Sequence, residues 1–185
     1  IRRGRTRRFH LFCNRFTVKL VRGHLLLPYI SNEYQVRIFH VIRDPRAIMA
    51  SIKRNNWGEF FKALSLNNQL LAPNDERRQF FEHYSNEIEL IDSREDFVEK
   101  VTAYWALTEL YVWYISQSTN ITFIHYEKLV KEGSVYLENI LEDDYNPTIN
   151  PPLFKKHSVT TQIDRKDLSI NQRIYGWKDE LTEDE

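Results

Sequence analysis

Apolar residues in this chain fall into runs of two kinds. Residues 36–42 (VRIFHVI) and 121–126 (ITFIHY) are short, continuous and rich in β-branched and aromatic side chains. Such runs are too evenly apolar for a strand with one wet face; they fit strands buried on both sides in a parallel sheet. Between them Phe97, Val101, Tyr104, Trp105, Leu107, Thr108, Tyr111 and Ile115 recur at helical spacing, the clearest helix in the chain. Ser93, with Asp96 three residues on, supplies its capping pattern. Residues 17–21 (TVKLV) predict a short strand, and residues 22–31 a brief helix or turn cut at Pro28. Asp44 as N-cap and Pro45 at the first helical position predict a helix to about Asn55. Residues 57–92 show no clean period and break at Pro73. Past ITFIHY, EKLVKEGSVYLENILE predicts another helix. A polar, irregular stretch follows to Gln172, and a last short helix falls around RIYGWKDEL. Strand, helix, strand, helix with apolar strands is the pattern of a parallel sheet covered by helices.

Composition narrows the picture. The chain has 185 residues, enough for a single domain over 1–185 with a real core. No internal repeat or boundary is visible. Formal net charge is zero, which argues against a general nucleic-acid partner. Charge is uneven: IRRGRTRRF carries five arginines and KDELTEDE is acidic, both fitting solvated ends. The single cysteine, Cys13, excludes an internal disulfide and a cysteine-based metal site. No run is long and apolar enough to span a bilayer, and no signal peptide is visible. The chain does not begin with Met and is read as a fragment. Asn120 opens a glycosylation sequon, NIT. His24, His40 and His125 show no metal-ligand spacing, so no metal is implied; His40 and His125 are expected as hydrogen-bonded interior or edge residues. Trp105 and Trp113 are expected in the core.

The junction FHVIRDPRAIMAS carries the candidate chemistry. Arg43 follows a strand, at the edge where open α/β sheets bind ligands. The helix from Pro45 is expected to offer free backbone N–H groups and a positive dipole end. Ser51 projects from nearly the same face as Asp44, two turns on. From the residues alone two arrangements are open. One is an anion site, best suited to phosphate, built from Arg43, Ser51 and the helix start. The other is a local Arg43–Asp44 ion pair with Ser51 facing water.

VIRDPRAIMAS resembles the 3′-phosphate-binding segment of the sulfotransferases. In that family an Arg at the strand end and a Ser eight residues later hold the 3′-phosphate of 3′-phosphoadenosine 5′-phosphosulfate, as Arg43 and Ser51 would here. The RDPRA wording resembles the Golgi carbohydrate and tyrosylprotein branches. Lys19 and Arg22 form a K-x-x-R pattern similar to carbohydrate sulfotransferases, on the substrate side. AYWALTELYVWYIS, ITFIHYEKLVKEG and the later KKHSVTTQ and GWKDELT follow in the family's order. By that resemblance Tyr126, Ser158, Thr160 and Thr161 border the nucleotide.

The resemblance implies a three-layer, P-loop-like α/β fold with a central parallel sheet. The N-terminal strand and the 5′-phosphosulfate loop are expected to be missing, so the chain alone is expected not to turn over. The implied reaction moves a sulfuryl group from the donor to an acceptor hydroxyl, on a glycan before a phenol, without a metal. The implied location is the Golgi lumen, held through a missing N-terminal membrane anchor, with a cytoplasmic enzyme as the alternative. The cytosolic branch's catalytic His falls on Val21, and no catalytic base is assigned. A non-catalytic nucleotide-binding relative and a P-loop kinase relative remain as alternatives. Oligomeric state is not legible.

Overall fold

The computed structural model describes residues 18–20, 23–141 and 168–182. The protein is a mixed α/β structure, mostly helical, with a two-stranded parallel sheet. A 3-10 turn, His24–Leu26, runs into α1, Leu27–Glu33, and then β1, Ile38–Ile42. Five helices follow: α2, Pro45–Arg54; α3, Gly58–Lys62; α4, Glu76–Glu82; α5, Ser85–Asp92; and α6, Phe97–Ile115. Then come β2, Ile121–His125, α7, Tyr126–Glu132, and α8, Ser134–Leu141. The last helix is α9, Ile170–Tyr175, which continues into a 3-10 turn, Gly176–Asp179.

β1 and β2 pair in parallel from Ile38 opposite Ile121 to Ile42 opposite His125. The 19-residue α6 ends the crossover between them and is the spine of the core. Its C-terminal half brings Tyr111, Val112 and Ile115 against Leu27, Ile38, Leu66, Leu70, Phe81 and Ile88. Its N-terminal half sets Val101 against Met49, Ile52 and Phe61.

Several expectations change. The central, doubly covered sheet is a two-stranded one among the described residues. In β1 only alternate residues are buried: Ile38 and His40 face the core, while Phe39 and Val41 remain 40% and 49% exposed. That second face is only partly covered: Ile124, opposite Val41 on β2, is buried. Residues 18–20 form no strand; Thr17 and Val21 lie outside the described residues. Pro28 opens α1 rather than cutting it, because the first helical turn needs no N–H from it. The cap of α6 is Asp96, which accepts from the N–H groups of Val98 and Glu99; Ser93 instead ends α5. The single helix expected after β2 is split at Gly133, whose φ of 63° and ψ of −129° suit glycine.

Residues 57–92, without a clear period, are held by a polar hub. Asp92 accepts from the backbone N–H of Leu66 at 2.8 Å and of Asn67 at 3.2 Å, and from Ser65 Oγ at 2.9 Å. It thereby ties a π-helical turn, Asn67–Leu71, to the end of α5. Burial pushes the Asp92 carboxyl up, and those hydrogen bonds more than reverse it, so it lies below the usual range.

A second carboxylate binds the helical layer to the sheet. Glu109, in the middle of α6, has its Oε2 2.6 Å from His40 Nε2 on β1. Its Oε1 lies 3.6 Å from His24 Nε2. An ionised carboxylate only accepts, so His40 Nε2 carries the proton between them. The imidazoles meet edge to face at 5.2 Å, and Phe123 of β2 packs edge-on against His40 at 5.8 Å. Burial pushes the Glu109 carboxyl up; hydrogen bonds and charge from His24 and His40 outweigh it and bring the group down from 4.5 to about 2.

A depressed carboxyl contributes stability that is complete above its unfolded value and lost as pH falls through its folded one. For Glu109 the window runs from 4.5 down to about 2. At about 1.4 kcal/mol per unit the contribution is at most roughly 3 kcal/mol. Urea unfolding of Glu109→Gln should show lower stability at neutral pH and a shallower decline across that window than the parent chain. Parallel profiles for the two proteins would show that Glu109 does not couple folding to protonation.

Candidate functional site

The strand-to-helix junction after β1 opens onto a cleft of about 470 Å³ between Arg43, Asp44, Arg46, Trp105, His125 and Glu127. The cleft lies at the carboxyl ends of both strands, the expected edge of a parallel sheet. A larger hollow, of about 660 Å³, sits among the helices near Asn68, Arg78 and Glu89. Its arginine is already paired with Glu82 at 2.7 Å, so the chemistry concentrates at the strand ends.

Arg43 leaves β1 with its guanidinium carbon 4.8 Å from the centroid of the Tyr126 ring, the first residue of α7. Parallel pairing puts the two strand ends side by side, so residues far apart in sequence stack as a cation on an aromatic face. Arg43 Nε is buried and has no hydrogen-bond partner among the described residues. Trp105, on α6, lines the same cleft, and its Nε1 is likewise buried without a described partner. Among the described residues these two N–H groups are thus withdrawn from water without an acceptor, a costly state.

The neighbouring ion pair is not the one considered from sequence. Asp44 pairs with Arg46, not Arg43: Arg46 Nε and Nη2 donate to its carboxylate at 3.0 and 2.9 Å. Asp44 Oδ1 also accepts from the Arg46 N–H at 2.9 Å, capping α2 as anticipated. Burial raises the Asp44 carboxyl, and the bonds from Arg46 bring it below the usual range. The Asp44 N–H donates to Glu127 Oε1 at 3.0 Å. The helix start therefore does not present the free N–H groups expected there. Its first donors already serve carboxylates, and Pro45 has none to give.

The C-terminal segment packs against α2, whose Arg46 lines the cleft. Arg46 stacks on the Trp177 ring at 4.0 Å. At the other end of α2, Arg54 makes a fork to Glu180 with contacts of 2.8 to 3.1 Å. The wall of the cleft is thus fastened to residues more than a hundred positions away.

Of the anticipated site residues, the structure brings Arg43 and Tyr126 together. Ser51 lies two turns along α2, does not line the cleft, and has its Oγ 3.4 Å from Asn55 Nδ2. Lys19 is exposed and also does not line it. Arg22, Ser158, Thr160 and Thr161 lie outside the described residues. His40 is interior, as expected, and His125 is exposed at the strand end. Trp113 is 60% exposed and Trp105 faces the cleft, so neither is the core residue that helical spacing suggested. Trp113 points away from the buried side of α6, whereas Trp105 shares the side of Val101 and Thr108 but ends at the cleft, and a long apolar helix conceals that difference.

The cap makes a direct test of this local order. Asp44→Ala should cost about 1–2 kcal/mol, the usual loss for a cap, measured by urea unfolding. Asp44→Asn should cost less, because the amide oxygen still accepts the Arg46 N–H. Equal losses for the two variants would mean that the Arg46 ion pair, not the cap, is what Asp44 contributes.

No family model, curated protein or solved structure matches the chain, so its function is argued from the cleft and from the wording of its sequence.

Proposed function

We propose that this chain is the donor-binding part of a sulfotransferase that uses 3′-phosphoadenosine 5′-phosphosulfate. The carrying observation is Arg43: a guanidinium at a parallel strand end, set over Tyr126, with a buried Nε that has no described partner. A phosphate oxygen is the acceptor such a group suits best, since charge-assisted bonds to planar guanidinium are short and strong. Tyr126 would then border the nucleotide, and the sequence resemblance assigns Ser51 to the same phosphate. The reaction is an in-line attack of an acceptor oxygen on sulfur, which breaks the bond to the leaving adenosine 3′,5′-bisphosphate. Holding the 3′-phosphate sets the register of the donor for that attack.

Further support comes from the sheet. The exposed Phe39 and Val41 side of β1 suits a larger, three-layer sulfotransferase fold in which another layer covers it. Asn120 is exposed ahead of β2, where a luminal protein could carry a glycan. A carbohydrate acceptor and a Golgi location rest on the RDPRA and K-x-x-R wording. Among the described residues no helix is long and apolar enough to cross a membrane.

Calorimetry with adenosine 3′,5′-bisphosphate and with 5′-AMP tests the proposal. The bisphosphate should bind more tightly. Arg43→Ala should weaken it by about 1.5–3 kcal/mol, roughly ten- to a hundredfold, and leave 5′-AMP little changed. Equal affinity for the two nucleotides would remove the assignment.

A further inference from the structure

His24, His40 and Glu109 reach one point from three separate elements: the 3-10 turn before α1, the middle of β1 and the middle of α6. One nitrogen of each imidazole and one carboxylate oxygen all lie within 4.8 Å of one another. We propose that these three side chains form a binding site for a zinc-class divalent cation. The site lies apart from the Arg43 cleft and does not depend on the function proposed for it.

The donor set is the first argument. Two imidazoles and one carboxylate form the His2Glu combination of open zinc sites, with a fourth position left for water. Imidazole donors favour zinc and its neighbours over magnesium or calcium, which take oxygen ligands. Burial is the second. The side chains of His40 and Glu109 are 8% and 13% exposed, and His24 is 22% exposed. The pair on β1 and α6 is thus held in the core, while the His24 side leaves a route to solvent.

Distance is the third argument. Bonds of 2.0–2.1 Å in a tetrahedron separate ligand atoms by about 3.3 Å. The His24–Glu109 contact of 3.6 Å is already close to that spacing. The His40–Glu109 contact of 2.6 Å runs to the other carboxylate oxygen; with one oxygen as ligand the three atoms, all within 4.8 Å of one another, need shifts of about 1–1.5 Å to reach tetrahedral spacing, a side-chain adjustment. His24 follows Gly23 at the start of a short turn and is the ligand best placed to move. Its Nδ1 is buried with no described hydrogen-bond partner, so its ring is not locked from behind. No spacing in the sequence announces the site, because its ligands stand 16 and 69 residues apart.

The chelator-stripped 185-residue chain should be titrated with Zn²⁺ by calorimetry and with Co²⁺ by visible absorption. One equivalent should bind, Co²⁺ should give intense absorption of the tetrahedral type, and saturating Zn²⁺ should raise Tm. His40 and Glu109 also hold the core together, so the decisive variant is His24→Ala, at the edge of the cluster. It should weaken binding by about tenfold or more and abolish the tetrahedral spectrum. His83→Ala, which alters an exposed histidine on α4's C-terminal side, should change neither. Absence of saturable binding, binding unaltered by His24→Ala, or a weak octahedral-type Co²⁺ spectrum in the unmodified chain would each overturn the site. The unmodified chain's spectrum decides the matter even if His24→Ala does not fold.

Discussion

A carboxylate taken out of water must be given donors, and in this protein that requirement falls on Glu109. It sits midway along α6, the last and longest of the five helices between the two strands. Its hydrogen-bond donor, His40, stands on β1, and His24 on the turn before α1 lies 3.6 Å away, so one charge fixes helix against sheet and draws the N-terminal turn toward both. Apolar packing alone is non-directional and would tolerate some sliding of α6 along the sheet. A 2.6 Å contact to His40 does not. With that register set, both strand ends finish side by side, and Arg43 comes to rest on Tyr126.

The cleft built on this register is nearly balanced in charge. Arg43 and Arg46 are faced by Asp44 and Glu127, so it is no broad cationic funnel. The two arginines are not equivalent. Arg46 is committed to Asp44 and to the Trp177 ring, and serves as a fastening for the C-terminal segment. Arg43 meets an aromatic face, and its Nε has no hydrogen-bond partner among the described residues. The distinction matters because a guanidinium already paired with a carboxylate has little left to offer an incoming anion.

Local signals in the sequence were legible where a side chain acts on its own backbone. Asp44 and Pro45 mark the start of α2, and apolar spacing marks α6, because caps and periodicity are short-range effects. Both strands were placed within a residue or two. The exposed side of β1 was not legible, since an evenly apolar run looks the same whether or not a second layer covers it. The Arg43–Asp44 pairing was undecidable for a similar reason: Arg43 and Arg46 both lie within reach of Asp44, and the choice depends on Tyr126 and Trp177, which arrive from elsewhere. Glu109 with His40, and Asp92 with the turn at Leu66, left no trace, because nothing in a sequence links positions 69 or 26 apart.

Gly133 sets the corner between α7 and α8 under a different kind of rule. An added Cβ there would meet no described atom within 4 Å, so it would stand in open space. Its φ of 63° and ψ of −129° nevertheless lie where L residues are strained. The obstacle is therefore conformational and indifferent to volume: alanine, serine and leucine should meet much the same backbone penalty. Corners of this sort are invisible to any survey of contacts, yet here the corner orients α8, whose Tyr136 hydroxyl accepts the His125 N–H at 3.1 Å. A residue with no side chain to pack thus helps determine where a strand end is hydrogen-bonded.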